Sequence, residues 1–265
     1  MDTRNSIFIS GAAAGIGRAT TLLFLEAGWQ VGAYDRDTDG LAKLADDVAE
    51  NVRERLITGV LDVTENTSWE HALADFAQHN EGKLNLLFNN AGILYSGAFE
   101  AISLDAQQRM IEVNVQGVLA GCYLARPYLE AAAVDGSNTA RVINMSSASA
   151  IYGQPKLAIY SASKFAVRAI TEALELEWAD QGIKVMDVMP LFVKTAMVAD
   201  MQGDSMRRLG VRLTPQMIAA TVYRMAHYKG SRIHWYVGRQ TKLMALASKL
   251  SPSWLVRLSN KWISR

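Results

Sequence analysis

Tyr160-Ser161-Ala162-Ser163-Lys164 sets a phenol and an ammonium four residues apart, one turn along the same face of a helix. A free phenol titrates near ~10, too high for a base at neutral pH, and a neighbouring positive charge favours the phenolate. The pair therefore offers proton transfer, with Tyr160 as acid or base and Lys164 as the group that tunes it. Ser147, in Asn144-Met145-Ser146-Ser147-Ala148-Ser149, follows an apolar strand and could hydrogen-bond a reacting oxygen. Asn114, in Glu112-Val113-Asn114-Val115, interrupts an apolar helical face. A buried amide needs partners, so Asn114 is either a structural bridge or part of a water chain.

A second constellation begins at Ser10-Gly11-Ala12-Ala13-Ala14-Gly15-Ile16-Gly17, between a short apolar run and a helical pattern. Glycines at such a turn let backbone approach a pyrophosphate, and the helix amino terminus supplies free N–H groups. The competing reading is a glycine-rich turn that only packs helix on strand. Asp35 closes the next apolar run in Ala33-Tyr34-Asp35-Arg36. A carboxylate there accepts hydrogen bonds from adenosine ribose hydroxyls and repels an added phosphate, which favours NAD. Arg36 keeps NADP open, because a guanidinium can hold that phosphate.

These groups need a frame. Ile7–Ile9, Val31–Tyr34, Leu56–Gly59, Leu84–Asn89, Arg141–Met145 and Val185–Met189 read as buried strands, with His234–Val237 as a late edge strand. Ala19–Ala27, Leu41–Asn51, Thr67–His79, Leu104–Ala133 and Ser161–Gln181 have helical spacing. Alternation of this kind predicts an α/β fold, a doubly wound parallel sheet covered by helices on both faces. In such sheets ligands bind at the carboxyl ends of the strands, where Ser147, Leu61-Asp62-Val63-Thr64 and Asn89-Asn90-Ala91-Gly92 all fall.

The 265 residues, half of them hydrophobic, suit one domain, placed at 1–238 with an extension at 239–265. Cys122, the sole cysteine, excludes an internal disulfide and reads as a small buried hydrophobe. No metal site is expected. Neither a secretory leader nor an 18-residue apolar run is found, so the expectation is a cytoplasmic protein. Residues 205–265 carry twelve Lys or Arg and no Asp or Glu, which points to an anionic partner for the carboxyl end.

Taken in order, SGAAAGIG at 10–17, LDVT at 61–64, NNAG at 89–92, Asn114, Ser147 and YSASK at 160–164 resemble the short-chain dehydrogenase/reductase family, from about Ile7 to Val237. The resemblance implies a Rossmann-like single domain and hydride transfer between a nicotinamide cofactor and an alcohol or ketone. It further implies roles: Tyr160 as general acid/base, Ser147 as hydrogen-bond donor to the substrate oxygen, Lys164 on the nicotinamide ribose, and Asn114 holding a water. Gly11, Ala14, Gly15, Ile16 and Gly17 would cradle the pyrophosphate, Asp62 and Val63 the adenine, and Asn90, Ala91 and Gly92 the adenosine ribose side. Thr195 would hold the carboxamide, and Val193 would also contact the cofactor. Leu191 stands where the family usually has a glycine after proline, which puts the shape of that turn in question. A homodimer or homotetramer is expected.

Leu94-Tyr95, Ile151-Tyr152, Leu157, Phe192, Met197, Val198 and Met201 would surround the substrate and favour a hydrophobic alcohol or ketone. In the last segment Trp254, Leu258 and Trp262 recur every fourth residue beside Arg257, Lys261 and Arg265. That pattern suits peripheral contact with an anionic membrane; packing on a sister subunit or over the site as a lid are the competing readings. Nucleic acid is not expected, since no aromatic-basic platform accompanies the charge. Two other functions compete with an apolar-alcohol dehydrogenase: a catalytically silent sensor of the cofactor ratio, and a 3-oxoacyl-type reductase for substrates on an anionic carrier.

Overall fold

In the computed structural model, residues 5–134, 140–199 and 210–263 are described. Seven parallel strands form one sheet in the order β3-β2-β1-β4-β5-β6-β7. They are β1 Ser6–Ser10, β2 Gln30–Asp35, β3 Leu56–Val60, β4 Leu86–Asn89, β5 Ala140–Met145, β6 Ile183–Pro190 and β7 His234–Val237. Strand order reverses between β1 and β4, which opens a crevice at their carboxyl ends.

Burial on both faces explains why β1, β2, β4, β5 and β6 read as unbroken apolar runs; β3, expected to be buried, lies at the sheet edge with Thr58 and Val60 exposed. Along β1, Ile7 and Ile9 enter one core while Phe8 enters the other. On the first face lie α1 (Gly15–Glu26), α2 (Thr38–Asp47) and a later helix, Pro215–Ala226; Phe24, Leu44 and Ile218 pack there against the sheet. A four-residue α3 (Glu50–Arg53) joins α2 to β3. The opposite face carries α4 (Asn66–Gln78), α6 (Gly117–Val134) and α7 (Ala158–Trp178), through Trp69, Leu129 and Val167. Cys122 is fully buried there, and burial pushes its thiol up to about 12.

The helical segment expected as Leu104–Ala133 has an internal irregularity. α5 (Leu104–Ile111) passes into α6 through a π-helical turn, Glu112–Gln116, which contains Asn114. Such turns insert one residue and re-aim side chains. Past β6 come α8 (Ala196–Ala199), α9 (Pro215–Ala226), α10 (Arg239–Leu250) and α11 (Ser253–Ile263). Sequence periodicity had not marked α9. Thr214 caps it by accepting from the Met217 N–H, and Pro215 sits in its first turn.

Candidate active site

The glycine turn leaves β1 and is shaped for close approach. Gly11 has φ 70°, and a Cβ there would lie 2.7 Å from the Ala91 Cα. Gly15 also has positive φ and opens α1, whose cap residue Ala14 supplies no side-chain hydrogen bond. The first-turn N–H groups are thus left facing the crevice. Gly17 does something different: a Cβ would fall 2.0 Å from the Gly11 carbonyl oxygen, so its role is packing the helix on the turn, and it does not line the crevice. Asn90 fastens the turn by donating Nδ2–H to the carbonyls of Ser10 and Gly11, at 3.1 and 2.9 Å. The Ser10 hydroxyl accepts from the Asn90 and Ala91 N–H groups in return.

Asp35 joins this turn to the end of β2. One carboxylate oxygen accepts from the Ala13 N–H and the other from the Asp37 N–H, each at 3.0 Å. Asp35 and Arg36 both line the crevice. On the same side stands a group that sequence spacing did not disclose, a second guanidinium acting with Arg36 on Asp62. Arg109, on α5, donates to Thr64 Oγ1 at 3.1 Å and meets Asp62 Oδ2 at 3.4 Å and Glu112 Oε2 at 3.1 Å. Partial burial pushes the Asp62 carboxyl up, but hydrogen bonds from Thr64 and the charges of Arg109 and Arg36 outweigh it and hold it below its ordinary value. Val63 is buried and accepts the Trp69 indole N–H on its carbonyl.

The chemical end of the crevice lies at β5 and the start of α7. Ser147, Tyr160 and Lys164 line it with Met145 and Ser146. The Lys164 ammonium donates to the Met145 carbonyl at 2.7 Å and lies over the Tyr160 ring. Burial lowers that ammonium to about 8. Burial also pushes the Tyr160 phenol above its ordinary value, and a hydrogen bond with Ser147 pulls it partly back. Ser147 Oγ additionally accepts the Ser149 N–H at 3.1 Å.

Asn114 sits behind this group, fully buried. Its Oδ1 accepts from the Ile93 N–H at 2.8 Å, and its two amide hydrogens go to the Ile93 carbonyl and Ser163 Oγ. The side chain therefore bridges the end of β4 to α7 with both donors committed. Gly92 makes room for it: a Cβ there would be 3.1 Å from Asn114 Oδ1 and 3.8 Å from Lys164 Nζ.

Apolar walls continue from Tyr160. Leu157 and Phe192 are buried, with Leu94, Leu191 and Val198 packed against them. Leu94, Leu191, Met197 and Val198 line the crevice, as do Val193 and Thr195 on the β6 side. Tyr95, Ile151, Tyr152, Leu157 and Phe192 are not on its lining, and Met201 lies outside the described residues. At Leu191 the turn forms without a left-handed residue: among the described non-glycine residues only Glu81 and Lys156 have positive φ.

This geometry fits a dinucleotide, since Gly11, Ala14, Gly15 and Ile16 line the crevice and the α1 terminus, which has no side-chain cap, offers N–H donors to phosphate. The chain matches the family model for short chain dehydrogenase over residues 5–205. It is 32% identical over 263 residues to putative oxidoreductase SadH of Mycobacterium tuberculosis, covering 94% of this chain and 92% of that one. Cyclohexanol dehydrogenase of Acinetobacter sp. is 30% identical over 202 residues, which cover 76% of this chain and 78% of the relative. Among solved structures, a short chain dehydrogenase from Burkholderia cenocepacia in complex with NADP superposes with TM-score 0.80 at 24% identity, over 97% and 99% of the two chains. A 3-ketoacyl-(acyl-carrier-protein) reductase from Brucella melitensis complexed with NADH gives TM-score 0.78 at 24% identity, over 88% and 96%. At such identity these two show the shared fold. With the family model spanning most of the chain, this protein belongs to the short chain dehydrogenase family and is an oxidoreductase.

Proposed function

We propose that the enzyme interconverts an apolar secondary alcohol and its ketone with NAD in preference to NADP, using Tyr160 as the proton-transfer group. The observation that carries this reading is the single crevice of about 350 Å³, which has the glycine turn and Asp35 at one end and Ser147, Tyr160 and Lys164 beside apolar walls at the other.

A nicotinamide cofactor, when bound, supplies the hydride acceptor or donor. The chain's own residues handle the oxygen and its proton. For reduction, the Tyr160 phenol is protonated at neutral pH and able to donate at its Oη. For oxidation the same oxygen must accept the alcohol proton, which requires a charge that favours phenolate. Lys164 is mostly ammonium at pH 7, since its value is about 8, and it is held over the ring by the Met145 carbonyl. Ser147 hydrogen-bonds Tyr160 and can donate to the same substrate oxygen. Asn114 is a positioning residue, acting through Ile93 and Ser163.

The preference for NAD rests on Asp35, which lines the crevice and whose negative charge repels a further phosphate, against the opposite pull of Arg36. The substrate class rests on Leu94, Leu191, Met197 and Val198, which line the crevice with Leu157 and Phe192 packed in the cluster behind them, together with the likeness to cyclohexanol dehydrogenase. The test is a panel of cyclic and aliphatic secondary alcohols, short polar alcohols and a 3-oxoacyl thioester, each with both cofactors. The reading expects turnover with the first group and NAD. Turnover confined to the thioester would favour the carrier-linked alternative, and tight NAD binding without turnover would favour a sensor.

A further inference from the structure

We infer that α10 and α11 form a docking surface for an anionic phospholipid bilayer. A helix on a globular protein turns its apolar stripe toward the core. α10 does the reverse, burying Thr241 and Ala245 while Leu243, Leu246 and Leu250 face water, the last 77% exposed. On α11 Trp254, Leu255 and Leu258 are exposed as well, and none of its described side chains is buried. At 3.6 residues per turn those three positions span an arc of about 100°. Arg257 and Lys261, both exposed, run along one edge of that arc; Lys242 and Lys249 are exposed on α10. Trp262's side chain and Arg265, which would extend the pattern, lie outside the described residues.

Charge chooses among possible partners. Residues 205–265 contain twelve Lys or Arg and no acidic residue. A second copy packed on this face would set Lys242, Lys249, Arg257 and Lys261 against their own counterparts, a repulsive arrangement in a two-fold interface. A bilayer with anionic headgroups meets both demands: it takes leucines and tryptophan at the interface and neutralises the flanking cations. No helix among the described residues is long and apolar enough to cross a membrane, so the contact is peripheral.

The surface is also well placed. β7 runs parallel to the other strands, so α10 leaves the sheet on the rim where the crevice opens. At Gly238, its cap, a Cβ would lie 3.3 Å from the Leu213 side chain, and Leu213 bridges to Val193 on the crevice wall. Docking by α10 and α11 would bring the crevice rim close to the lipid.

The experiment is vesicle co-sedimentation of the full chain, with phosphatidylcholine vesicles containing about 30% phosphatidylglycerol and with phosphatidylcholine alone. Two double variants accompany it, Trp254→Glu with Leu258→Glu and Arg257→Glu with Lys261→Glu, checked for folding by circular dichroism and thermal midpoint. The expected result is binding to the anionic vesicles only, weakened about tenfold or more by either double variant and by raised salt. The inference is overturned if the wild type stays in the supernatant, if it binds neutral vesicles equally, or if the variants bind unchanged. It is equally overturned if the apolar double variant turns a dimer into a monomer and the wild type shows no vesicle binding.

Discussion

The Lys164 ammonium lies over the Tyr160 ring, 5.7 Å from its centre, one turn along α7. Its hydrogen bond goes to the Met145 carbonyl at the end of β5, so strand and helix together fix the distance between the two groups. Burial drives both toward neutrality, the phenol upward and the ammonium down to about 8.

The lysine's position has a pH signature in folding. Below its folded value of about 8, Lys164 is charged in both folded and unfolded chains, and folding carries the whole desolvation cost, about 3 kcal/mol. As pH rises from there toward the unfolded value the folded chain sheds its proton first and the cost is lifted. Lys164→Met has no such dependence. Between about pH 7 and about pH 9.5 the wild type should gain about 2 kcal/mol relative to Lys164→Met in denaturant unfolding. A constant gap would mean that this lysine titrates normally.

Cofactor choice should pivot on one charge. Asp35→Asn keeps an oxygen that can accept the Ala13 or Asp37 N–H while removing the negative charge. The ratio of kcat/KM with NAD to that with NADP should fall on the order of tenfold to a hundredfold. An unchanged ratio would move selectivity away from this residue.

Arg109 should matter for binding and little for chemistry. Its contacts with Asp62 and Thr64 lie at the opposite side of the crevice from Ser147. The side chain is about a third exposed, so Arg109→Leu should weaken cofactor binding by about 1 kcal/mol, roughly fivefold, with kcat nearly unchanged. Stopped-flow or calorimetric binding beside steady-state rates separates the two.

Away from the crevice, His234 holds a buried carboxylate. Its Nδ1 lies 3.0 Å from both oxygens of fully buried Asp187, and its Nε2 lies 2.9 Å from Glu172. Burial pushes the Asp187 carboxyl up, and His234 opposes that. His234→Leu should cost about 3 kcal/mol of stability by leaving Asp187 unpartnered, and adding Asp187→Leu should recover part of the loss. Simple addition of the two losses would show that the residues act independently.

How far all this could be read beforehand varied with the kind of interaction. Strands buried on both faces leave unmistakable apolar runs, as Ile7, Phe8 and Ile9 show by serving two cores at once. Ser147, Tyr160, Asp35 and Asn90 were legible because a parallel sheet puts strand ends and the following helix starts on one rim. Arg109 was not: its partners Asp62 and Thr64 are 47 and 45 residues away, and only the docking of α5 against the end of β3 joins them. The π turn at Asn114 and the absence of Tyr95, Ile151 and Tyr152 from the crevice lining depend likewise on loop course. α9 did carry signals, Thr214-Pro215 and the Ile218, Val222 and Met225 stripe, outside the motif-bearing strands.

The central claim is that Tyr160 moves the substrate proton, and Tyr160→Phe removes that one hydroxyl while keeping the ring under Lys164. Single-turnover hydride transfer should fall at least about a thousandfold, with cofactor affinity within about threefold of the wild type. Hydride transfer at a rate close to the wild type's would contradict the account.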